Sequence, residues 1–365
     1  MIDIAAYRQA ESIARQSLNS WRSVQAHHPV TFAGLGFPTS VETIRELSMF
    51  IDTMQENRFD PYMVELGGLS DDEMRLFLSS LSSFVKWFTM TFGGGQIPIP
   101  LSTMIAHFAL FRKLMAYTPN ARILEIGPGC GYLSFFLENR DKVTQYCQIE
   151  VTQSFYLLQH LINSFLYSEN FVDRIVSRPT APTAELLNQH NISHYESEMT
   201  PTLHYSPGIR CEHFPWWEMG ELADRRFDII TSNANFTEMT EAAFRSYVTL
   251  IARCLEPDGI VFAQCPGGGT LPITTVVRTF EALNFGVLLF ASQVNNQPLV
   301  VPNIILVREG HPSFSRAPRQ LPHTPFVSEG VEWIDRMFRV SLGARMRSRD
   351  EILKGVEEHL GRYIA

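Results

Sequence analysis

The sequence predicts an α/β fold in which a mostly parallel sheet is covered by helices on both faces and preceded by a helical cap. Three observations carry this expectation. From Arg122 onward strand-sized apolar runs alternate with helical runs, the pattern of parallel strands joined by crossover helices. The stretch Ile123-Leu124-Glu125-Ile126-Gly127-Pro128-Gly129-Cys130-Gly131 joins the first of these strands to a glycine-rich turn. A chain of 365 residues with 45% hydrophobic and 12% aromatic content can fill the core of such a sheet and a second packed unit.

Taken in order, the pattern up to about Phe92 is helical, with Met74, Leu76, Phe77, Leu81, Phe84, Val85 and Phe88 three and four apart, and it breaks at Gly93-Gly94-Gly95. After Ile97-Pro98-Ile99-Pro100 a second helix is expected, capped by Ser102 or Thr103, with Leu101, Ile105, Phe108, Arg112 and Met115 on one side. Strands follow at Arg122 to Ile126, Tyr146 to Glu150, Ile209 to His213, Phe227 to Ser232, Gly259 to Gln264, Gly286 to Ala291 and Asn303 to Val307. Helices are expected from Tyr132 to Leu137, Ser154 to Tyr167, Glu238 to Leu255 and Thr274 to Leu283. Residues from about Ser168 to Gly208 exceed what one connection requires and are expected to wall the site. The proline-rich stretch Glu309 to Pro325 reads as an extended surface segment leading to terminal helices. This divides the chain into a helical cap (1–100), an α/β ligand-binding unit (101–310) and a tail (311–365).

The turn carries the ligand signal. Gly127, Gly129 and Gly131 let the backbone bend sharply and let a ligand approach where a Cβ would obstruct it. The first N–H groups of the helix that follows favour an anionic group. Glu150 ends the second strand, placed to accept hydrogen bonds from two ribose hydroxyls. The spacing is E-x-G-x-G-x-G rather than the dinucleotide G-x-G-x-x-G, and no G-x-x-x-x-G-K is present.

On these residues the chain resembles the class I S-adenosylmethionine (SAM) dependent methyltransferases. The resemblance implies a Rossmann-like seven-stranded sheet whose last strand runs antiparallel within a hairpin. It implies SAM as cofactor, with the methionine and ribose part lying on Gly127, Pro128, Gly129 and Gly131. Glu125 then holds the turn and the amino group, and Glu150, next to Val151, holds the ribose. At the end of the fourth strand Ser232 or Asn233 is expected to bind the methionine end. Asn235 and Glu238 are the catalytic candidates, Glu238 as a base or as a charge favouring the start of the next helix. His213-Phe214-Pro215-Trp216-Trp217 together with Asn233 to Met239 resembles a narrower group, the sugar O-methyltransferases of bacterial natural-product and polysaccharide gene sets. That resemblance spans Phe92 to Gln264.

The expected activity is O-methylation of a small, polar, sugar-like or specialised metabolite. Two alternatives remain open at this point. One is a methyltransferase-fold enzyme that attacks the aminocarboxypropyl carbon, for example closing SAM to azetidine-2-carboxylate with release of methylthioadenosine. The other is a SAM-binding module without turnover. Neither an Asp/Asn-Pro-Pro-Tyr/Phe motif nor a carboxylate cluster for a metal is seen. His107, His160, His204 and His213 read as structural, although His204 and His213 lie near the expected mouth, and Tyr132, Phe135, Tyr156, Trp216 and Trp217 are aromatics in parts expected to border the site, each on its own better read as core.

With 30 Lys and Arg against 38 Asp and Glu the net charge is −8, and no basic cluster accompanies the aromatics, so nucleic acid is not an expected partner. The longest apolar runs are strand-sized, which argues against a membrane span. Five separated cysteines and a start without a basic, apolar leader suggest reduced thiols in the cytoplasm. The oligomeric state is open, and a homodimer is compatible with the sequence.

Overall fold

A computed structural model of the chain describes residues 4–17, 38–53, 57–93, 97–118, 120–138, 143–175, 210–265, 270–318 and 325–364. The N-terminal helices are α1 (Ile4–Ser17), α2 (Ser48–Thr53), α3 (Phe59–Leu66) and α4 (Asp71–Phe92). α4 starts on a capping box in which the Ser70 side chain accepts from the Glu73 amide and the Glu73 carboxylate accepts from the Ser70 amide. α5 (Leu101–Tyr117) follows, its N-cap position held by Pro100 without a side-chain cap. Ser102 therefore lies inside the first turn, where its hydroxyl accepts from Arg349 at 3.0 Å. α5 is buried almost all round because α3 and the later helix Glu332–Met337 pack along it.

The chain then runs β1 (Ala121–Ile126), α6 (Ser134–Leu137), β2 (Val143–Glu150), α7 (Gln153–Tyr167), β3 (Phe171–Asp173), β4 (Cys211–Pro215), α8 (Met219–Leu222) and β5 (Phe227–Asn233). It continues through α9 (Glu241–Cys254), β6 (Leu255–Gln264), α10 (Ile273–Glu281), β7 (Phe285–Val294), β8 (Gln297–Arg308), β9 (Phe326–Val327), α11 (Glu332–Met337) and α12 (Arg349–Ile364).

The strands form one sheet in the order β3-β4-β2-β1-β5-β6-β8-β7-β9. From β3 to β6 every pair is parallel, and β8 is antiparallel to both β6 and β7. The reversed strand is the expected one. β1, β2 and β5 read Ile, Leu, Val and Cys on both faces because both faces are covered. Asn295 and Asn296 both take positive φ and turn the chain from β7 to β8 in two residues, the primed hairpin turn that matches strand twist. Both hairpin strands therefore run longer than the alternation pattern indicates.

Three expectations change. The sheet has nine strands rather than seven, because short β3 and β9 add its edges. The helix expected from Tyr132 is only the four-residue α6, since Tyr132 and Leu133 continue the turn. The helix after β5 starts at Glu241, where the Thr240 hydroxyl accepts from the Ala243 amide at 3.3 Å, so Glu238 precedes it. Ile209, His204 and the expected wall from 176 to 208 lie outside the described residues. No described helix is long and apolar enough to cross a membrane.

Candidate functional site

The parallel strands β1, β2, β4 and β5 end at one edge of the sheet, where open α/β sheets bind ligands. The glycine turn leaves β1 there, anchored by the Gly127 amide donating to Ile149 of β2 at 3.0 Å. All three glycines take positive φ, 67° at Gly127, 58° at Gly129 and 72° at Gly131. Their surroundings differ. A Cβ at Gly127 would lie 2.0 Å from Asn235 Nδ2, and one at Gly131 would lie 2.9 Å from Gln159 Cγ. A Cβ at Gly129 would meet nothing within 4 Å among the described residues. Two glycines thus make room for protein side chains, and the apex glycine faces open space.

Glu150 closes β2 and is 3% exposed. Its Oε1 accepts from the amides of Val151 (2.8 Å) and Thr152 (2.9 Å), and its Oε2 accepts from Gln159 Nε2 at 2.9 Å. Burial raises its pKa and these hydrogen bonds oppose the rise. The same Gln159 nitrogen donates to the carbonyl of Gly129 at 2.6 Å. One buried amide therefore ties the turn to the acid. The Gln159 oxygen lies 2.8 Å from His213 Nε2, and the His213 ring stacks on Tyr156 at 3.8 Å and 13°. Burial pushes His213 down to about 3, so it is neutral.

N-terminal residues roof this end of the sheet. Tyr7 of α1 is buried with its ring 5.1 Å from Tyr156 and 5.2 Å from Trp217. The start of α7 is pinned by Val41 N donating to Gln153 Oε1 (2.9 Å) and Ser154 Oγ donating to the Pro38 carbonyl (2.8 Å). The Tyr7 hydroxyl and the Trp217 indole nitrogen are buried without partners among the described residues.

Glu125 departs from its expected place. It is fully buried, and its Oε2 accepts from the Tyr146 hydroxyl rather than from an amide of the turn. Gln148 donates to that hydroxyl at 2.6 Å, Asn163 donates to Gln148, and Ser134 donates to Asn163 at 2.8 Å, a polar cluster under the turn. Burial outweighs these bonds and pushes Glu125 up to about 7.

At the end of β5, Ala234 takes φ 65° and ψ −18°, the left-handed region that costs a residue with a Cβ on the order of 1–2 kcal/mol. The bend throws Asn235 onto Gly127, where its Nδ2 lies 3.4 Å from the Ile126 carbonyl. Asn235 is therefore a wall of the turn. Glu238 is part-buried in the turn that follows, with its amide donating to Asn235. Asn233 is part-buried, while Ser232 is buried and its hydroxyl has no partner among the described residues. Pro128 and Val151 are both buried beside the open apex.

The expected aromatics divide in two. Tyr132 and Phe135 pack on Phe84 of α4, with centroids 5.7 and 5.9 Å apart, as core. Tyr156 and Trp217 line the roofed end beside Tyr7. The sequence reading missed Gln159, His213 as its partner, and Tyr7. A signal existed for Gln159: it lies four residues before Asn163 on α7, two amides on one buried face.

No protein-family model and no curated protein matches the chain. Solved structures with a similar course include a TehB-like SAM-dependent methyltransferase from Corynebacterium glutamicum, 13% identical over 63% of this chain and 98% of that one, with a TM-score of 0.37. Magnesium protoporphyrin IX methyltransferase from Synechocystis with bound SAM is 9% identical over 66% and 99%, with a TM-score of 0.34. The cyclase SpnF is 15% identical over 52% and 60%, with a TM-score of 0.31. Overlaps of this extent leave cofactor and reaction to be argued from this chain's own residues.

Proposed function

We propose that the chain binds SAM across the Gly127–Gly131 turn and Glu150 and transfers its methyl group to an oxygen of a small, polar, sugar-like or specialised acceptor. The open apex at Gly129 is the observation that carries this reading. Of the three glycines it alone has nothing among the described residues that a Cβ would touch, and it lies one amide away from the acid at the tip of β2.

The residues fit the cofactor. A carboxylate has about four acceptor sites, and the Val151 and Thr152 amides, Gln159 and the Thr152 side chain all draw on Glu150, so a ribose hydroxyl would share the carboxylate with them. Tyr7 and Trp217 add polar atoms that have no partner among the described residues at the same end. When bound, SAM supplies an electrophilic methyl carbon on a sulfonium. The protein's part is to hold the acceptor in line and exclude water. Tyr7 and the segment from Pro38 to Val41 do the excluding over β2 and β4. Ser232 and Asn233 offer neutral hydrogen-bonding groups at the end of β5, which suit the methionine end of SAM.

Calorimetry tests the assignment. Glu150→Ala removes the ribose acceptor and should weaken SAM binding about tenfold, the worth of a hydrogen bond to a charged group. Equal affinity in the variant would contradict the proposed geometry.

A further inference from the structure

The turn and the acid are spaced by a side chain that belongs to neither. Gln159, on α7, is fully buried, and its amide is taken up by protein groups. A primary amide offers two N–H donors and one carbonyl, and here all three are engaged: the donors on Gly129 O (2.6 Å) and Glu150 Oε2 (2.9 Å), the carbonyl on His213 Nε2 (2.8 Å). Turning the amide over would set its oxygen against a carbonyl and a carboxylate, and its NH2 against the N–H of His213. A ring nitrogen facing an amide oxygen must carry the proton, which fixes His213 as the Nε2–H tautomer. Its Nδ1 has no partner among the described residues.

The ring cannot turn freely either. It stacks on Tyr156, whose hydroxyl donates to Asp173, and Asp173 also holds His160 at 2.5 Å. Gln159 Cγ in turn fills the space a Cβ at position 131 would take. Position and orientation of the amide are therefore both determined by the fold.

We infer that Gln159 is a positioning residue of the cofactor site, setting the Glu150 carboxylate against the Gly129 backbone, and that His213 selects the orientation of its amide. The inference rests on the SAM reading, since it assigns a role in placing a nucleoside.

A double-variant cycle on the full chain, read by calorimetric titration with SAM, tests it. Gln159→Met keeps the length of the side chain and fills the helix face while removing the amide. It should weaken SAM about tenfold. The double variant Glu150→Ala with Gln159→Met should bind about as weakly as Glu150→Ala alone, because the amide acts through the acid. A purely structural role would lower the melting temperature and leave the two losses independent. Losses that multiply, or a Gln159→Met affinity within about twofold of wild type, overturn the assignment. If Glu150→Ala binds too weakly to titrate, Gln159→Met against wild type decides. Should Gln159→Met not fold, His213→Phe keeps a ring on Tyr156 without a donor and takes its place in the cycle, with the same expected pattern. A wild-type chain that does not bind SAM overturns the cofactor reading itself, whereas one that binds SAM with independent losses overturns only the role of Gln159.

Discussion

Each glycine of the turn carries a different constraint, and the difference is measurable. An alanine at any of the three pays the left-handed backbone cost of roughly 1–2 kcal/mol. At Gly127 and Gly131 it also collides with Asn235 or Gln159. Gly127→Ala and Gly131→Ala should therefore unfold at lower urea than Gly129→Ala, while Gly129→Val should lose SAM binding with little more than the backbone cost in stability. Equal stabilities, or SAM binding intact in Gly129→Val, would count against an apex that faces the ligand. Glu125 makes a second residue-scale prediction. Its folded pKa near 7 lies above the ordinary 4.5, so between those values the native state holds a proton the unfolded chain has released, and stability falls as pH rises through that window. Glu125→Gln removes this fall. From about pH 5 to about pH 8 the variant should gain on the order of 1–3 kcal/mol relative to wild type in urea unfolding, and parallel curves would show an ordinary carboxylate. The glycines and Glu150 were legible in the sequence because they form one local motif. Gln159, His213 and Tyr7 were not, because their roles arise where α7, β4 and α1 meet.

Elements followed the sequence wherever periodicity had length to show itself. β1, β2, β5 and β6 carry the apolar stretches Ile123-Leu124, Tyr146-Cys147, Ile229-Ile230 and Ile260-Val261-Phe262-Ala263, and they fall within a few residues of their expected places. β3 and β9 have three and two residues, too few for alternation to register, and as edge strands they need little apolar content. The β7–β8 hairpin was read short because Asn295-Asn296 lacks the Asn-Gly signature, although both residues take the same left-handed backbone. α6 shows the opposite error: apolar residues at Tyr132, Leu133, Phe135 and Phe136 suggested a longer helix, but Tyr132 and Leu133 form the turn before it, Tyr132 packed on Phe84 of α4. The capping box at Ser70 is worth a direct test at this scale. Ser70→Ala leaves the Glu73 amide of α4 without its acceptor and should cost about 1 kcal/mol in urea unfolding. No loss would mean the first turn of α4 frays at no cost and does not depend on its cap.

Across the whole molecule, one apolar core runs from α1 to α12 and through the sheet, so the N-terminal helices are packed against the fold they roof. A buried ion pair reinforces the join: Lys113 of α5, 2% exposed, holds Glu65 of α3 at 2.5 Å and Asn303 of β8 at 3.1 Å. Burial lowers the Lys113 pKa and Glu65 opposes that shift. The strand ends that the proposed function uses are closed on one side by Tyr7 and, among the described residues, open at Gly129, an arrangement suited to chemistry that must exclude water. Incubating the purified chain with SAM, first alone and then with a pool of sugars and small metabolites, followed by mass spectrometry, tests the central claim most directly. The account predicts S-adenosylhomocysteine that appears only with an acceptor. Methylthioadenosine formed from SAM alone, above the background without protein, would contradict it and assign the fold to attack on the aminocarboxypropyl carbon.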